Sequence, residues 1–512
     1  MADLTIALDG SPLSLDAVES AARHGAKVAV AAETTASLAR GRAFIDRLAS
    51  GGEPIYGITT GVGKLKDVVI PAAARRALQR NLVLSHAGAV GAPLAEDETR
   101  AVMLLLAASL ARGASGVRPE VVETLVACLN RELHPVVPER GSLGSSGDLA
   151  PLAHVAACLI GEGEAWIDGR PAPARDVLAR AGLSPLTLEA KEGLALLNGT
   201  HLQAGLGALA VLDALRLVKL ADVTGAMSLE ALMGSYVAFD ERIHRLRPHP
   251  GQVATAANLR RLTADSAIIA SHRDCTRVQD AYSLRCMPQV HGATREAISF
   301  ARTVLERELG SVTDNPLVFP DDGAVLTGGN FHGEVLGLAL DTLAIGLAQL
   351  AGITERRIDR LVNPLVNEGL PPFLSPHGGL NCGYMIAQYV AAALVNELRT
   401  LAHPASVDSI PTSGLQEDYN AMGATSALKA RRAVGLARQV VAIELLLAAQ
   451  ALDCRRPLTP GRGSAAAHAA VRRAIAPLDG DRYLKADLDA ALALVTGGTV
   501  LAVVEAAVGT LE

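Results

Sequence analysis

A mainly α-helical fold, a bundle of long helices with a smaller mixed region at its N-terminal end, is what this sequence predicts. Three segments carry that reading. Residues 200–234 keep leucine, alanine and valine at three-to-four-residue spacing for far longer than an ordinary helix, and residues 332–362 and 424–453 do the same. Each is nearly apolar all round in places, which predicts burial on more than one side, inside a large bundle or between subunits. The mixed character is confined to the beginning: TIALDG (5–10) and AKVAVA (26–31) are short β-like runs, and EPIYGITTGVG (53–63) is a glycine-punctuated loop.

The chain has 512 residues, half of them hydrophobic, enough for a large core, and no fixed-period repeat that would build a solenoid. A formal charge of -6, with acids and bases interspersed, offers no nucleic-acid groove. The six cysteines lack CxxC spacing, and no HExxH is present, so neither a metal site nor a disulfide framework is expected. The first residues are acidic where a signal peptide is basic, and AVMLLLAASLA (101–111) is too short to span a bilayer. A cytoplasmic protein without a membrane partner is the expectation.

Between the helical segments lie the unusual residues: YGITTGVG (56–63), GSLGSSGD (141–148), LLNGTH (196–201), VQDAYSLRCMPQVHG (278–292), TDNPLVF (313–319), LTGGNFHGE (326–334) and GLQEDYNAMG (414–423). They concentrate glycine, polar groups and aromatics in a chain with only 3% aromatics. Several such loops on a rigid scaffold are the usual layout of an active site.

The stretch GSLGSSGDLAPLAH (141–154) reads by composition as a flexible loop before a helix, with Asp148 capping that helix or lying in its first turn. Sharper motifs fail one by one. No lysine follows Gly147, so there is no phosphate loop. The spacing of Gly144-Ser145-Ser146-Gly147 is wrong for a GxSxG elbow. Asp148-Leu149 stands where the GSSxMPxKxNP loop of fumarase-type lyases continues with Met-Pro. A remaining possibility uses the backbone. The Gly147 nitrogen, unobstructed by a side chain, attacks the Ser145 carbonyl, and Ser146 loses its hydroxyl as water. The product is a five-membered ring with an exocyclic methylidene, a strong electrophile.

That segment resembles the signature of the histidine and aromatic amino acid ammonia-lyases, which build 4-methylidene-imidazol-5-one (MIO) from Ala-Ser-Gly. The other loops match family motifs in the same order over nearly the whole chain. The resemblance implies a long-helix bundle of the ammonia-lyase type, with residues 1–200 carrying the base loop and the MIO loop and residues 201–512 the helices, as one continuous catalytic unit. It also implies a homotetramer whose active sites take loops from three subunits, in agreement with the over-apolar helices. No external cofactor is expected.

The implied reaction removes ammonia from an α-amino acid to leave a trans-α,β-unsaturated acid. An electrophile that captures the amine improves a poor leaving group. Ser145, Ser146 and Gly147 match the MIO triad, Tyr56 the base for the β-proton, and Arg285 the residue gripping the carboxylate. Gln279, Tyr282 and Arg285 recur every three residues, which predicts one broad helical face before Pro288. Tyr282 matches a catalytic position and Gln279 and Phe331 pocket positions, while Asn198 and Asn315 match asparagines that contact the prosthetic group or the carboxylate. His86, after Ser85, and Glu417 match the imidazole-binding pair of the histidine-specific members, and a carboxylate near an imidazole can fix its tautomer. The pair points to L-histidine as substrate and trans-urocanate as product. Thr59, Val62, His201, His291 and Tyr419 depart from the residues most frequent at their places. Tyrosine or phenylalanine lyase, a 2,3-aminomutase with the same chemistry, and a catalytically silent scaffold of the same fold are the alternative readings.

Overall fold

The structure, a computed structural model, describes residues 5–275 and 277–512. Helix dominates it, 59% against 7% strand. The three apolar segments are helices His201–Ala231, Glu334–Val362 and Gly423–Asp453, here the first, second and third long helix. The second stops one residue before Asn363-Pro364, because a proline disfavours helical geometry in its predecessor.

Strands Thr5–Leu8 and Lys27–Val30, the expected β-like runs, pair in parallel. Val90–Pro93 with Pro138–Arg140, and Glu164–Ile167 with Arg170–Pro173, form antiparallel ribbons. A further hairpin, Leu317–Phe319 with Ala324–Leu326, lies outside the N-terminal region to which strands were assigned. Its signal is Pro320-Asp321-Asp322-Gly323, a turn whose glycine has φ 62.

The described residues form two compact units. One gathers Met1–Ala210, Ala301–Asp341 and Pro404–Arg431, and the other Val211–Phe300, Thr342–His403 and Arg432–Glu512. These units do not follow a cut at residue 200. Three of their boundaries fall inside the three long helices and a fourth inside helix Met287–Glu308, so each unit is assembled from separated stretches of chain.

In the first unit Phe44 and Ile45, on helix Ala32–Ser50, form a buried cluster with Ile58 and Val318. The cluster fixes the back of the loop that carries Tyr56 and of the strand that follows Asn315. The second and third long helices are apolar and long enough to cross a membrane by length and composition, unlike the shorter segment singled out from the sequence. Most of their apolar surface is covered within the chain, 61% and 78% of the most apolar window being buried. Helices buried on several sides are apolar all round without meeting lipid.

In the second unit a chain of buried polar groups stands where apolar packing would be expected. Arg357 grips Glu444 through two bonds, Nε to Oε1 at 2.5 Å and Nη2 to Oε2 at 3.0 Å, and both side chains are fully buried. Thr224 and Ser228 donate to the same carboxylate at 2.5 and 2.8 Å. His291, one of the departures noted above, links this pair to the next. Its Nε2 accepts from Arg357 Nη1 at 3.2 Å, and its Nδ1–H donates to Asp222 Oδ1 at 2.7 Å. Arg295 Nη2 completes the ladder on Asp222 Oδ2 at 2.7 Å. Burial, above all, holds the His291 imidazole below its ordinary pKa, which suits a neutral link. Removing one partner strands a buried charge, so Glu444→Gln is expected to cost about 3–5 kcal/mol in urea unfolding. Arg357→Met/Glu444→Leu, which removes both charges, is expected to recover most of that loss. A Glu444→Gln chain as stable as its parent would show that the pair carries no such load.

Candidate active site

Four loops of the first unit are stitched together through their main chains around Ser145-Ser146-Gly147. The Gly147 N–H donates to the Phe331 carbonyl at 3.1 Å, and the Asp148 N–H to the Gly199 carbonyl at 2.8 Å. Gly333 N–H donates to Gly144 O at 2.9 Å, and Ala421 N–H to Ser145 Oγ at 2.7 Å. Buried main-chain groups must be paired, and here the other three loops each bond to the one that carries the triad. The triad is thereby held on both sides.

Gly147 has φ +72, and a Cβ there would stand 2.0 Å from the Gly199 nitrogen. No other residue fits this position. Ser145 is buried, and both serines line one cavity of about 1440 Å³. An unsubstituted nitrogen two residues past a fixed carbonyl, with a serine between them, is the donor set that backbone cyclisation requires.

Asp148 is the hub beneath this turn. Its carboxylate accepts from Leu202 N at 2.7 Å, Gln203 N at 3.3 Å, Gln203 Nε2 at 2.9 Å and Ser142 Oγ at 3.2 Å. It therefore caps the first long helix. Its own helix, Ala150–Leu159, has Leu149 at the N-cap position, which corrects the reading of Asp148 as a local cap. Complete burial pushes the Asp148 carboxyl up to about 6, against the pull of its donors.

Tyr56, Ser85, His86, Asn198, Asn315, Phe331 and Glu417 line the same cavity as the serines. Tyr56 follows the start of its loop directly, and its Oη accepts from Gly63 N–H at 3.3 Å. Burial pushes its phenol up; the Gly63 donor pulls it back, and the charges of Glu417 and Asp314 push further. His86 ends helix Arg75–His86, where its Nδ1 meets the Leu82 carbonyl at 2.8 Å. A carbonyl only accepts, so Nδ1 carries the proton and Nε2 is an acceptor. Glu417 is anchored through Thr412, whose hydroxyl donates to Oε2 at 2.9 Å while its N–H donates to the Glu417 carbonyl at 2.8 Å.

Gln279, Tyr282 and Arg285 belong to the second unit, and none of them lines this cavity. The single helical face drawn from their spacing does not form. Tyr282–Arg285 is a single helical turn, Gln279 precedes it in irregular chain, and Pro288 sits at the start of helix Met287–Glu308 rather than after an end. A proline is tolerated in a first turn because its missing N–H would be unpaired there anyway. The Arg285 guanidinium lies over the Tyr282 ring, 4.8 Å from its centroid, and Tyr282 is 72% exposed.

The departures have separate fates. Thr59 is buried in its turn, donating to Glu53 O at 2.7 Å and accepting from Ile55 N at 2.7 Å. Val62 lines the cavity, as does Tyr419, which stacks on His332 with centroids 6.4 Å apart. His201 is buried with neither ring nitrogen hydrogen-bonded, and burial holds it down at about 4. Residues that sequence reading missed support the site from behind: Gln203 on Asp148, and Lys191 paired with Asp314. Neither carries a signal of its own in the sequence: Gln203 is one polar residue near the start of an apolar run, Lys191 sits beside Glu192, and neither position names a partner.

A family model described as aromatic amino acid lyase matches residues 13–473. A histidine ammonia-lyase of Gloeobacter violaceus is 54% identical over 507 residues, 99% of each chain. Among solved structures, tyrosine aminomutase from Streptomyces globisporus superposes with a TM-score of 0.94 at 39% identity, covering 99% of this chain and 100% of that one. Histidine ammonia-lyase from Trypanosoma cruzi superposes at 0.91 with 41% identity, covering 99% and 96%. With a family model matching most of its length and a relative 54% identical over 99% of it, this chain belongs to the aromatic amino acid lyase family.

Proposed function

We propose that this chain eliminates ammonia from L-histidine to give trans-urocanate, as a cytoplasmic homotetramer carrying MIO formed from Ser145-Ser146-Gly147. The observation that carries the reading is that the triad, Tyr56, His86 and Glu417 share one cavity in a chain so close to a histidine ammonia-lyase along its full length. The Ser145-Ser146-Gly147 turn would hold MIO, which would supply an electrophile for the substrate amine.

The rest falls to side chains. His86 Nε2 and the Glu417 carboxylate both accept hydrogen bonds, so together they suit a protonated imidazole, which donates an N–H from each ring nitrogen. A phenyl ring has no such donor, and a phenol has one. Asn198 and Asn315, on the same cavity, hold the α-amino acid end. Tyr56 removes the β-proton. Burial and two nearby carboxylates favour its protonated form, so a cation has to face it before it acts as a base. Arg285 supplied by a neighbouring copy meets that need and binds the substrate carboxylate. Gln279 and Tyr282 arrive with it, which accounts for Val278 and Tyr282 being 95% and 72% exposed in a single chain.

The likeness to a tyrosine aminomutase favours one second reading, return of the amine to the β-carbon. Ultraviolet absorbance on L-histidine, L-tyrosine and L-phenylalanine, followed by chromatography of the products, tests both. Urocanate is the expected product, and a β-amino acid would replace the lyase reading with the mutase. Ser146→Ala is expected to stay folded and lose several orders of magnitude in kcat, since it removes covalent catalysis altogether. Turnover near the parent rate would exclude MIO chemistry.

Glu417→Gln is expected to lower kcat/KM on L-histidine by about tenfold or more, as loss of a charge-assisted bond would. Unchanged histidine kinetics would remove Glu417 from ring recognition. Shared sites make a third expectation. Ser146→Ala and Arg285→Ala chains, each inactive alone, regain part of the parent activity when co-expressed, because mixed tetramers rebuild some intact sites. No recovery in mixed tetramers would mean that each chain completes its own site.

A further inference from the structure

Behind the cavity, Lys191 Nζ meets Asp314 Oδ2 at 2.5 Å, with the two side chains 0% and 2% exposed. Burying such a pair is costly, and it is weak evidence for stability, so what else it touches matters. The other oxygen, Asp314 Oδ1, accepts from the Asn315 N–H at 2.6 Å and from Asn198 Nδ2 at 3.3 Å. Asn198 Nδ2 also donates to the Asn315 carbonyl at 3.2 Å. Lys191 and Asn198 stand at opposite ends of the short helix Glu192–Leu197, so the pair anchors both of its ends.

The polarity of an asparagine amide is assigned by what surrounds it. Asp314 Oδ1 and Asn315 O can only accept, so the NH₂ of Asn198 faces them and its carbonyl oxygen is what it offers to the cavity it lines. Asn315 is turned the other way. Its Oδ1 accepts from the Gly328 N–H at 2.9 Å, which leaves its NH₂ for the cavity. One wall thus presents an acceptor and a donor, the complement of a zwitterion.

We propose that the Lys191–Asp314 pair is a positioning device that sets the polarity of the Asn198 amide, so that Asn198 reads the substrate's amino group while Asn315 reads its carboxylate. The lysine holds the Asp314 carboxylate in place, Asp314 holds the Asn198 NH₂ away from the cavity, and the exposed carbonyl oxygen receives an ammonium N–H. Lys191 and Asp314 act through Asn198 and touch no substrate. The inference rests on the amino acid reading of the site, but not on which ring the amino acid carries.

Two fragments of the substrate separate the two ends. Histamine keeps the ammonium and lacks the carboxylate; imidazolepropionate keeps the carboxylate and lacks the ammonium. Inhibition constants are measured for both on the intact tetramer. In Asp314→Asn, Lys191 takes the new carbonyl oxygen and turns the new NH₂ toward Asn198, whose amide then flips. Histamine inhibition is expected to weaken by between about tenfold and about a hundredfold, with imidazolepropionate changed by less than about threefold. Lys191→Met/Asp314→Val, which strands no charge and leaves the Asn198 NH₂ held by the Asn315 carbonyl alone, serves if Asp314→Asn does not fold, and a smaller loss with the same selectivity for histamine is expected. Equal weakening of both fragments, or none, in a folded variant overturns the proposal, because a purely structural role does not distinguish the two ends. If neither imidazole fragment inhibits the parent enzyme, the histidine reading fails instead. Phenethylamine and 3-phenylpropionate then make the same comparison, with the same outcomes supporting or overturning the amide assignment.

Discussion

The carboxylate of Asp148 is the constraint on which the rest of the site depends. One buried side chain caps the first long helix, holds the Gln203 amide and takes the Ser142 hydroxyl, while its own N–H is bound to Gly199. The loop bearing the Ser145-Ser146-Gly147 turn is thereby fixed against the start of the longest class of element in the fold. A buried carboxylate survives only when its lone pairs are used, and here the donors come from two different stretches of chain. Loss of register in either stretch would leave it unpaired. The same logic governs the main-chain bonds from Gly147, Gly333 and Ala421, which bring the remaining loops to the triad.

Polar groups are used in contrasting ways in the two units. In the first they converge on a cavity and leave some of their capacity open: a serine between two fixed neighbours, an imidazole with one free acceptor, two amides facing opposite ways. In the second they close on one another. Arg357, Glu444, His291, Asp222 and Arg295 form a ladder in which every charge has an opposite charge and the histidine is a neutral rung. Such closed networks specify packing, while open ones are available for chemistry.

A great deal of this was legible in the residues. The long helices could be read to within a few residues, because a stripe that is apolar on every side admits few structures other than a buried helix. Eight of the named side chains, Tyr56, His86, Ser145, Ser146, Asn198, Asn315, Phe331 and Glu417, do share a cavity. They come from loops whose composition is unlike the rest of the chain. The spacing of Gln279, Tyr282 and Arg285 misled, since a period of three describes a helix only where the chain is helical, and Gln279 is not. Lys191 and Gln203 gave no signal, because their roles depend on Asp314 and Asp148, far away in sequence.

The sequence by itself determined the element types and the chemistry of the turn. Helical periodicity, the proline after Asn363 and a serine between a carbonyl and a glycine nitrogen are all local, and local rules suffice to read them. Tertiary structure decided the directions: which helix Asp148 caps, which nitrogen of His86 is left to accept, and which face of Asn198 meets the cavity. The His86 tautomer turns on the Leu82 carbonyl one helical turn away, but the other two depend on donors and acceptors dozens to more than a hundred residues distant, and a hydrogen bond has an angle and a length but no sequence separation.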